Sequence, residues 1–566
     1  MTVDAEKFLR AEGGRLVNGA GREVLLRGVG FGSWFLPEGY MWKFPDGGDR
    51  PRRIEAMIRE LVGEEKAVLF WETYYDRYVT EADIEQIAAE GFNSVRVPLN
   101  ARFLLDDEGT CREDRLRRID ELLGWCRKHE IYAILDLHGA PGGQTGTNID
   151  DSERDLPELF TDERNRELTI GIWRALAERY KEEWIVAGYD LLNEPLPEWF
   201  SSYNDQIMPL YEDIVRSIRE VDGRHMIILE GAHWATDWSV FSGEPIDSNV
   251  MLQFHKYWNV PDTASIRQYI EAGARWNAPI FMGEGGENNT DWYAGAFRLF
   301  EDHHISWNFW TWKKMETTNS PYSVRMPEDW PLLVTYLEGG PKPDAETAWA
   351  ALSTYLDNLP LDRCDYRPEV VRSLFRQPNA RIPAIFYRNA EEGVGFGFGE
   401  GSDRRDSEFG EERRRGGGGL GFRDADGTDI RFVDSEREKP NFQHMRGEAW
   451  ASDEWLCVRL APGDWLAYDV EVPEVAREGA GLTLRMRGIG GGAGAGDSGT
   501  GAVEVLRESG EAGVLEPIGA VRIPDEAESW IDAKLAGRLS GRPSAQRIVI
   551  RAAGRSVDVQ WIKLDL

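Results

Sequence analysis

Two glutamates stand where stability alone would not place them. In "YDLLNEP" (189–195) the apolar positions Tyr189, Leu191 and Leu192 give way to Asn193, Glu194 and Pro195. In "PIFMGEG" (279–285) Glu284 ends a similar run. A carboxylate at the mouth of a core is costly to desolvate, so it needs a partner or a task. If both strand ends open on one cleft, the two carboxylates push each other's pKa apart, leaving one ionised and one protonated. Cleavage of a glycosidic bond needs that pair: an acid for the leaving oxygen and an anion for the sugar carbon. A separation of about 5–5.5 Å suits a retaining enzyme and about 6.5–9.5 Å an inverting one.

The neighbouring polar residues fit the same chemistry. Arg96 in "NSVRVPL" and Tyr257 in "FHKYW" are placed to hold one carboxylate ionised by charge and hydrogen bonding. His255 shares a strand face with Tyr257, His138 ends "YAILDLH", and Asn193 is placed to meet a sugar hydroxyl beside the reacting carbon. In "SWNFWTWK", period-two alternation puts Asn308, Trp310 and Trp312 on one face, and an aromatic face suits a pyranose ring. Packing is the competing reading for both tryptophans.

The elements that must position these groups repeat one unit: apolar strand, loop, amphipathic helix. The strands are "VLLRGVG" (24–30), "NSVRVPL" (93–99), "YAILDLH" (132–138), "GYDLLNE" (188–194), "MIILEG" (226–231), "VMLQFHKY" (250–257), "PIFMGEG" and "SWNFWTW" (306–312). Near-continuous apolar runs are how strands covered on both faces read. Helices are expected over 115–129 and 207–221, and Thr80 followed by Asp83 reads as a capping box. Eight strand–helix repeats in about 300 residues give the arithmetic of a (β/α)8 TIM barrel. A doubly wound sheet is the rival, but it would not gather polar groups from many strand ends on one rim. Past residue 378, short strands with frequent Gly, Pro and Asp indicate an all-β sandwich. The expected architecture is therefore α/β: a TIM barrel (1–365), a linker (366–377) and a jelly-roll-like sandwich (378–566). Inserts at 399–421 and 488–501 read as Gly- and charge-rich loops.

Composition narrows the partners. The 566 residues carry a formal net charge of −33, and only 12 of the 66 basic residues are Lys. Such a surface repels phosphates, which argues against nucleic acid and anionic membranes. No stretch nears the roughly 20 apolar residues of a membrane span. The start "MTVDAEKFLR" lacks the basic and apolar regions of a signal peptide, so the expectation is a cytoplasmic protein or one whose signal has been removed. Cys111, Cys126, Cys364 and Cys457 show no metal-type spacing, and no His-x-His pair or carboxylate cluster completes a metal site. The expectation is an enzyme without metal or cofactor.

"RGVGFGSW", "GFNSVRVPL", "DLHGAPGGQTG", "YDLLNEP", "FHKYW", "GEGG" and "SWNFWTWK" resemble, in order and spacing, the motifs of glycoside hydrolase family 5. The resemblance covers about residues 12–320. It implies a retaining β-glycosidase with Glu194 as acid/base and Glu284 as nucleophile. Arg96, His138, Asn193, His255, Tyr257 and Trp310 match the remaining active-site positions. "FWETYYDRYVTEADIEQIAAEGFNSVRVPL" and "DLHGAPGGQTG" look most like the exo-β-1,3-glucanase and glucosylceramidase branch. One departure is Gly30, where many members have Asn. The implied substrate is β-linked glucose in an oligo- or polysaccharide or a β-glucoside. A mannanase or a transglycosylase would use the same residues, and a non-catalytic sugar-binding barrel is the rival class. The C-terminal half resembles, more weakly, carbohydrate-binding modules of families 6 and 35, with Trp450, Trp455 and Trp465 as candidate sugar contacts.

Overall fold

A computed structural model describes residues 6–399, 422–433, 456–472, 479–489, 501–509, 513–523, 529–539 and 544–565. Most of the two expected inserts, together with Trp450 and Trp455, lies outside the described residues. The chain divides into two compact units. The first comprises Met1–Lys256, Gln268–Glu287 and His304–Arg367; the second comprises Tyr257–Arg267, Asn288–His303 and Pro368–Leu566.

The first unit contains a closed barrel of eight parallel strands in sequential order. They are β1 (Arg27–Gly30), β2 (Ser94–Asn100), β3 (Tyr132–Gly139), β4 (Val186–Asp190), β5 (Met226–Glu230), β6 (Val250–His255), β7 (Ile280–Gly286) and β8 (Ser306–Trp310). Every residue of β2, β4, β5, β6 and β8 is buried, as expected of strands covered on both faces. The predicted helices form at Glu113–His129 and Ile207–Arg219. Thr80 caps Glu81–Glu90 as expected, its backbone N–H donating to Asp83 Oδ2 at 2.8 Å.

Strand pleating sorts the barrel interior along its axis. Ile134, Met226, Ile228, Met251 and Phe281 form one buried cluster with Leu9, Leu16, Leu26 and Ala187. Leu9 and Leu16 come from a hairpin, Leu9–Glu12 paired with Arg15–Asn18, which covers the N-terminal ends of the strands. Two residues further along the same strand faces the side chains become polar: Asp136 follows Ile134, Glu230 follows Ile228, and Gln253 follows Met251.

The second unit holds two antiparallel sheets. One runs Asp429–Phe432, Leu456–Leu460, Val557–Asp565, Gly481–Gly488 and Ile531–Lys534, with Arg381–Pro383 also paired to Val557–Asp565. The other runs Phe396–Gly397, Trp465–Val472, Ser544–Ala553, Ala502–Glu508 and Leu515–Arg522. Trp465 packs against Ala467, Leu506 and Val549. The stretch expected as a linker is not one. Pro368–Phe375 is a helix that buries Val370, Val371, Leu374 and Phe375, because its apolar residues recur at helical spacing. The unit also takes in Thr290–Asp302, a helix that is apolar on nearly all sides and buries Trp292, Phe297, Leu299 and Phe300.

Candidate active site

Arg96, midway along β2, is fully buried and organises the C-terminal half of the barrel interior. Its Nε donates to Asp190 Oδ2 at 2.8 Å, and Nη1 donates to Glu284 Oε2 at 2.9 Å. Nη2 donates to Asn193 Oδ1 at 2.8 Å and Glu230 Oε1 at 3.0 Å, and lies 3.2 Å from Asp136 Oδ1. A guanidinium suits this position because its planar fork reaches several acceptors at once.

Glu194 sits one turn past β4 with a left-handed backbone, φ +45°. Its N–H donates to Glu230 Oε2 at 2.7 Å, and its Oε1 lies 2.6 Å from His255 Nδ1. One carboxylate oxygen of Glu194, one of Glu284 and a ring nitrogen of His255 all lie within 4.8 Å of one another. Among the described residues this is also the His/carboxylate group whose spacing could take a metal ion.

The site's electrostatics follow from counting charges. One guanidinium and one imidazole face the carboxyls of Asp136, Asp190, Glu194, Glu230 and Glu284 in a buried space. Burial opposes protonation of His255, yet the charges of Glu230, Glu284 and Glu194 hold its pKa well above the ordinary value. Burial also opposes ionisation of Glu230, but His255 and Arg96 outweigh it and bring its pKa down. Burial and the charge of Glu230 push Asp136 up to about 8 and Asp190 well above its ordinary value, despite Arg96. Glu284 is raised, first by burial and then by Glu194.

On β3, between β2 and β4, His138 Nδ1 lies 2.7 Å from Asp136 Oδ2 and its ring stacks on Trp310, with ring centroids 5.4 Å apart and planes 3° off parallel. Burial pushes His138 down to about 4, so it is a neutral imidazole at physiological pH. Trp310 Nε1 donates to Tyr40 Oη at 2.9 Å. Gly30 makes this packing possible: a Cβ there would stand 2.6 Å from Trp310 Cε3. The missing Asn at position 30 therefore leaves room for the indole.

Of the residues singled out in the sequence, Arg96, His138, Asn193, Glu194, His255, Glu284 and Trp310 come together. Trp312 does not. The strand ends at Trp310, so the alternation stops there; Trp312 turns away and donates from Nε1 to Asp83 Oδ1 at 3.0 Å beside Phe92 and Tyr322. Tyr257 belongs to the second unit, where its carbonyl accepts from Asn288 Nδ2 at 2.8 Å.

Sequence reasoning missed Glu230, Gln253, Asp136, Asp190 and Glu38. Glu230 ends the apolar run "MIILEG" as Glu284 ends its own, so the same signal was present on strand five. Asp136 and Gln253 lie two residues before His138 and His255, on the same faces. Glu38 had no such signal, since it follows β1 in an irregular loop. It is 3% exposed, its Oε1 has no hydrogen-bond partner among the described residues, and that atom lies 3.9 Å from His138 Nε2. Burial, then the charges of Glu284, Glu287 and Glu194, raise its pKa well above the carboxylate range.

Residues 60–316 match the family model "Cellulase (glycosyl hydrolase family 5)". A "Beta-xylosidase" of Phanerodontia chrysosporium is 29% identical over 271 residues, 47% of this chain and 56% of that one. A "Glucan 1,3-beta-glucosidase" of Candida oleophila is 31% identical over 265 residues, 44% of this chain and 61% of that one. "Endoglucanase C" of Acetivibrio thermocellus is 30% identical over 192 residues, 33% and 53% of the two chains. The chain spans about half the length of these curated relatives. Residues 60–316 are thus similar to glycoside hydrolase family 5, and the relatives named here align over the barrel portion of the chain.

Proposed function

We propose that the barrel is a retaining β-glycosidase acting on β-linked glucose, with Glu284 as nucleophile and Glu194 as acid/base. The observation that carries this reading is the approach of Glu194 and Glu284 oxygens to within 4.8 Å, near the retaining separation of about 5–5.5 Å and well short of the inverting range. The relatives named for glucan and xyloside cleavage support the substrate class.

In the first displacement, the Glu284 carboxylate, oriented by Arg96, attacks the anomeric carbon. The bond from that carbon to the leaving oxygen breaks, and the oxygen takes a proton from Glu194. In the second, Glu194 removes a proton from water, the water oxygen bonds to the anomeric carbon, and the Glu284 ester bond breaks. His255, whose pKa the surrounding carboxylates hold well above its ordinary value, lies 2.6 Å from Glu194 and shares the proton of that contact.

The pH dependence follows. Glu284 must be ionised to attack, so kcat/KM rises with pH through its raised pKa, placing the acid limb above the ordinary glutamate range. The Glu194–His255 pair must hold a proton, so activity falls as pH rises through the raised His255 pKa. His255→Asn is expected to move the alkaline limb and leave the acid limb near its place. The deciding experiment is proton NMR of the first-formed sugar from laminarin, barley β-glucan and aryl β-glucosides. A β-anomer supports retention; an α-anomer refutes it, and inert wild-type protein across the panel refutes glycosidase function.

A further inference from the structure

Glu230, the last residue of β5, takes no step in the chemistry above, yet it is fully buried and both of its carboxylate oxygens are engaged. Oε1 accepts from Arg96 Nη2 at 3.0 Å and from Gln253 Nε2, and lies 3.4 Å from His255 Nε2. Oε2 accepts from the backbone N–H of Glu194 at 2.7 Å. A carboxylate enclosed in this way offers no face to a sugar, so its work is done on its neighbours.

The neighbour that needs it is Glu194. β4 ends at Asp190, and Leu191 N–H still donates to the Ile228 carbonyl of β5 at 3.1 Å. Three residues on, the chain has bent into a left-handed turn, with Glu194 at φ +45°. Residues other than Gly, Asn and Asp seldom adopt that geometry, and it persists only where surrounding contacts enforce it. A buried N–H in such a turn needs an acceptor, and Glu230 Oε2 supplies a charged one. The same carboxylate also reaches the far end of Glu194: His255 Nε2 faces Glu230 while His255 Nδ1 lies 2.6 Å from Glu194 Oε1. From the helix Ile207–Arg219, buried Tyr211 Oη donates to the Glu230 carbonyl at 2.9 Å and fixes the main chain of Glu230 in turn.

Resting on the glycosidase reading, we infer that Glu230 is the positioning residue of the acid/base, holding Glu194 in its left-handed turn and the His255 ring against the Glu194 carboxyl. Three donors converge on Glu230: Glu194 N–H, Arg96 and Gln253. An amide there would set its own N–H groups against one of them whichever way it faced, so Glu230→Gln breaks the clamp with almost no change in volume. A displacement of about 1 Å at the proton donor can cost about 10^2-fold in rate. The rival role runs through Arg96, which Glu230 shares with the nucleophile Glu284. Leaving groups separate the two, since phenolate departure gains from protonation by Glu194 and fluoride departure needs little.

The test uses the full chain with the phenyl β-glycosides and β-glycosyl fluorides of glucose, laminaribiose and cellobiose, compared at one glycone. For Glu230→Gln, the ratio of kcat/KM on the phenyl glycoside to that on the fluoride is expected to fall by about tenfold or more. Glu230→Asp keeps the charge but stops one methylene short, and should lower the ratio less. Tyr211→Phe, which loosens Glu230 from outside the barrel, should lower it least. In a Glu194→Ala background, Glu230→Gln should cost phenyl glycoside cleavage much less than it costs wild type, because its target is gone. Equal losses on the two leaving groups, or a full cost in the Glu194→Ala background, overturn the role. If Glu230→Gln does not fold, Glu230→Asp decides, an unchanged ratio overturning the role. Wild-type protein inert on every probe overturns the glycosidase reading itself, and this role with it.

Discussion

The two ends of the barrel interior are built from the same strands to opposite rules. At the N-terminal end Ile134, Ile228, Met251 and Phe281 pack with Leu9 and Leu16 into an apolar plug. Two residues along, Asp136, Glu230 and Gln253, together with Glu284 three past Phe281, crowd around Arg96 and His255. The plug gains stability by removing apolar surface from water. The polar end spends stability, since buried ion pairs seldom recover the cost of their desolvation. Charge at the polar end is therefore better explained by chemistry than by folding.

Substitutions at the two ends should separate the contributions. The largest effect is expected from Glu284→Ala, a loss of kcat on the order of 10^4-fold with an unchanged or raised Tm, because a buried carboxylate is removed. Measured turnover together with thermal unfolding checks both halves; a large fall in Tm would break the contrast. Glu194→Ala should lower kcat by about 10^2- to 10^4-fold on poor leaving groups and much less on β-glucosyl fluoride, which needs little protonation. Equal losses on both substrates would remove Glu194 from the acid role.

At the other end, Ile228→Ala should cost about 2–5 kcal/mol of stability by denaturant unfolding, with kcat/KM per folded molecule near wild type. A large change in turnover by the folded fraction would show that the plug positions the rim. The smallest effect is expected at the boundary, Gly30→Ala. Its Cβ would displace Trp310, costing about 1–3 kcal/mol and raising KM more than it lowers kcat.

Much of this organisation was legible in the sequence because strand alternation is local. An apolar run that ends in a polar residue marks a strand and its rim end together, and Glu194, Glu284, His138 and His255 were found in this way. Asp136 and Gln253 carried the same parity but were passed over beside the more conspicuous histidines. Trp312 was misplaced because alternation was extended beyond Trp310, where the strand ends. Where a linker was expected over 366–377, the apolar residues of Pro368–Phe375 recur at helical spacing and form a buried helix.

By itself the sequence determined the number and order of barrel strands, the rim position of both glutamates and the change of architecture after the barrel. Those features depend on periodicity, which neighbouring residues encode. Only the tertiary structure decided that Arg96 joins Asp190, Asn193, Glu230 and Glu284, that Glu38 enters the site from an irregular loop, and that Glu230 reaches the main chain of Glu194. These depend on barrel closure, which brings strands 90 residues apart to within hydrogen-bonding reach of one guanidinium, a distance no local pattern records.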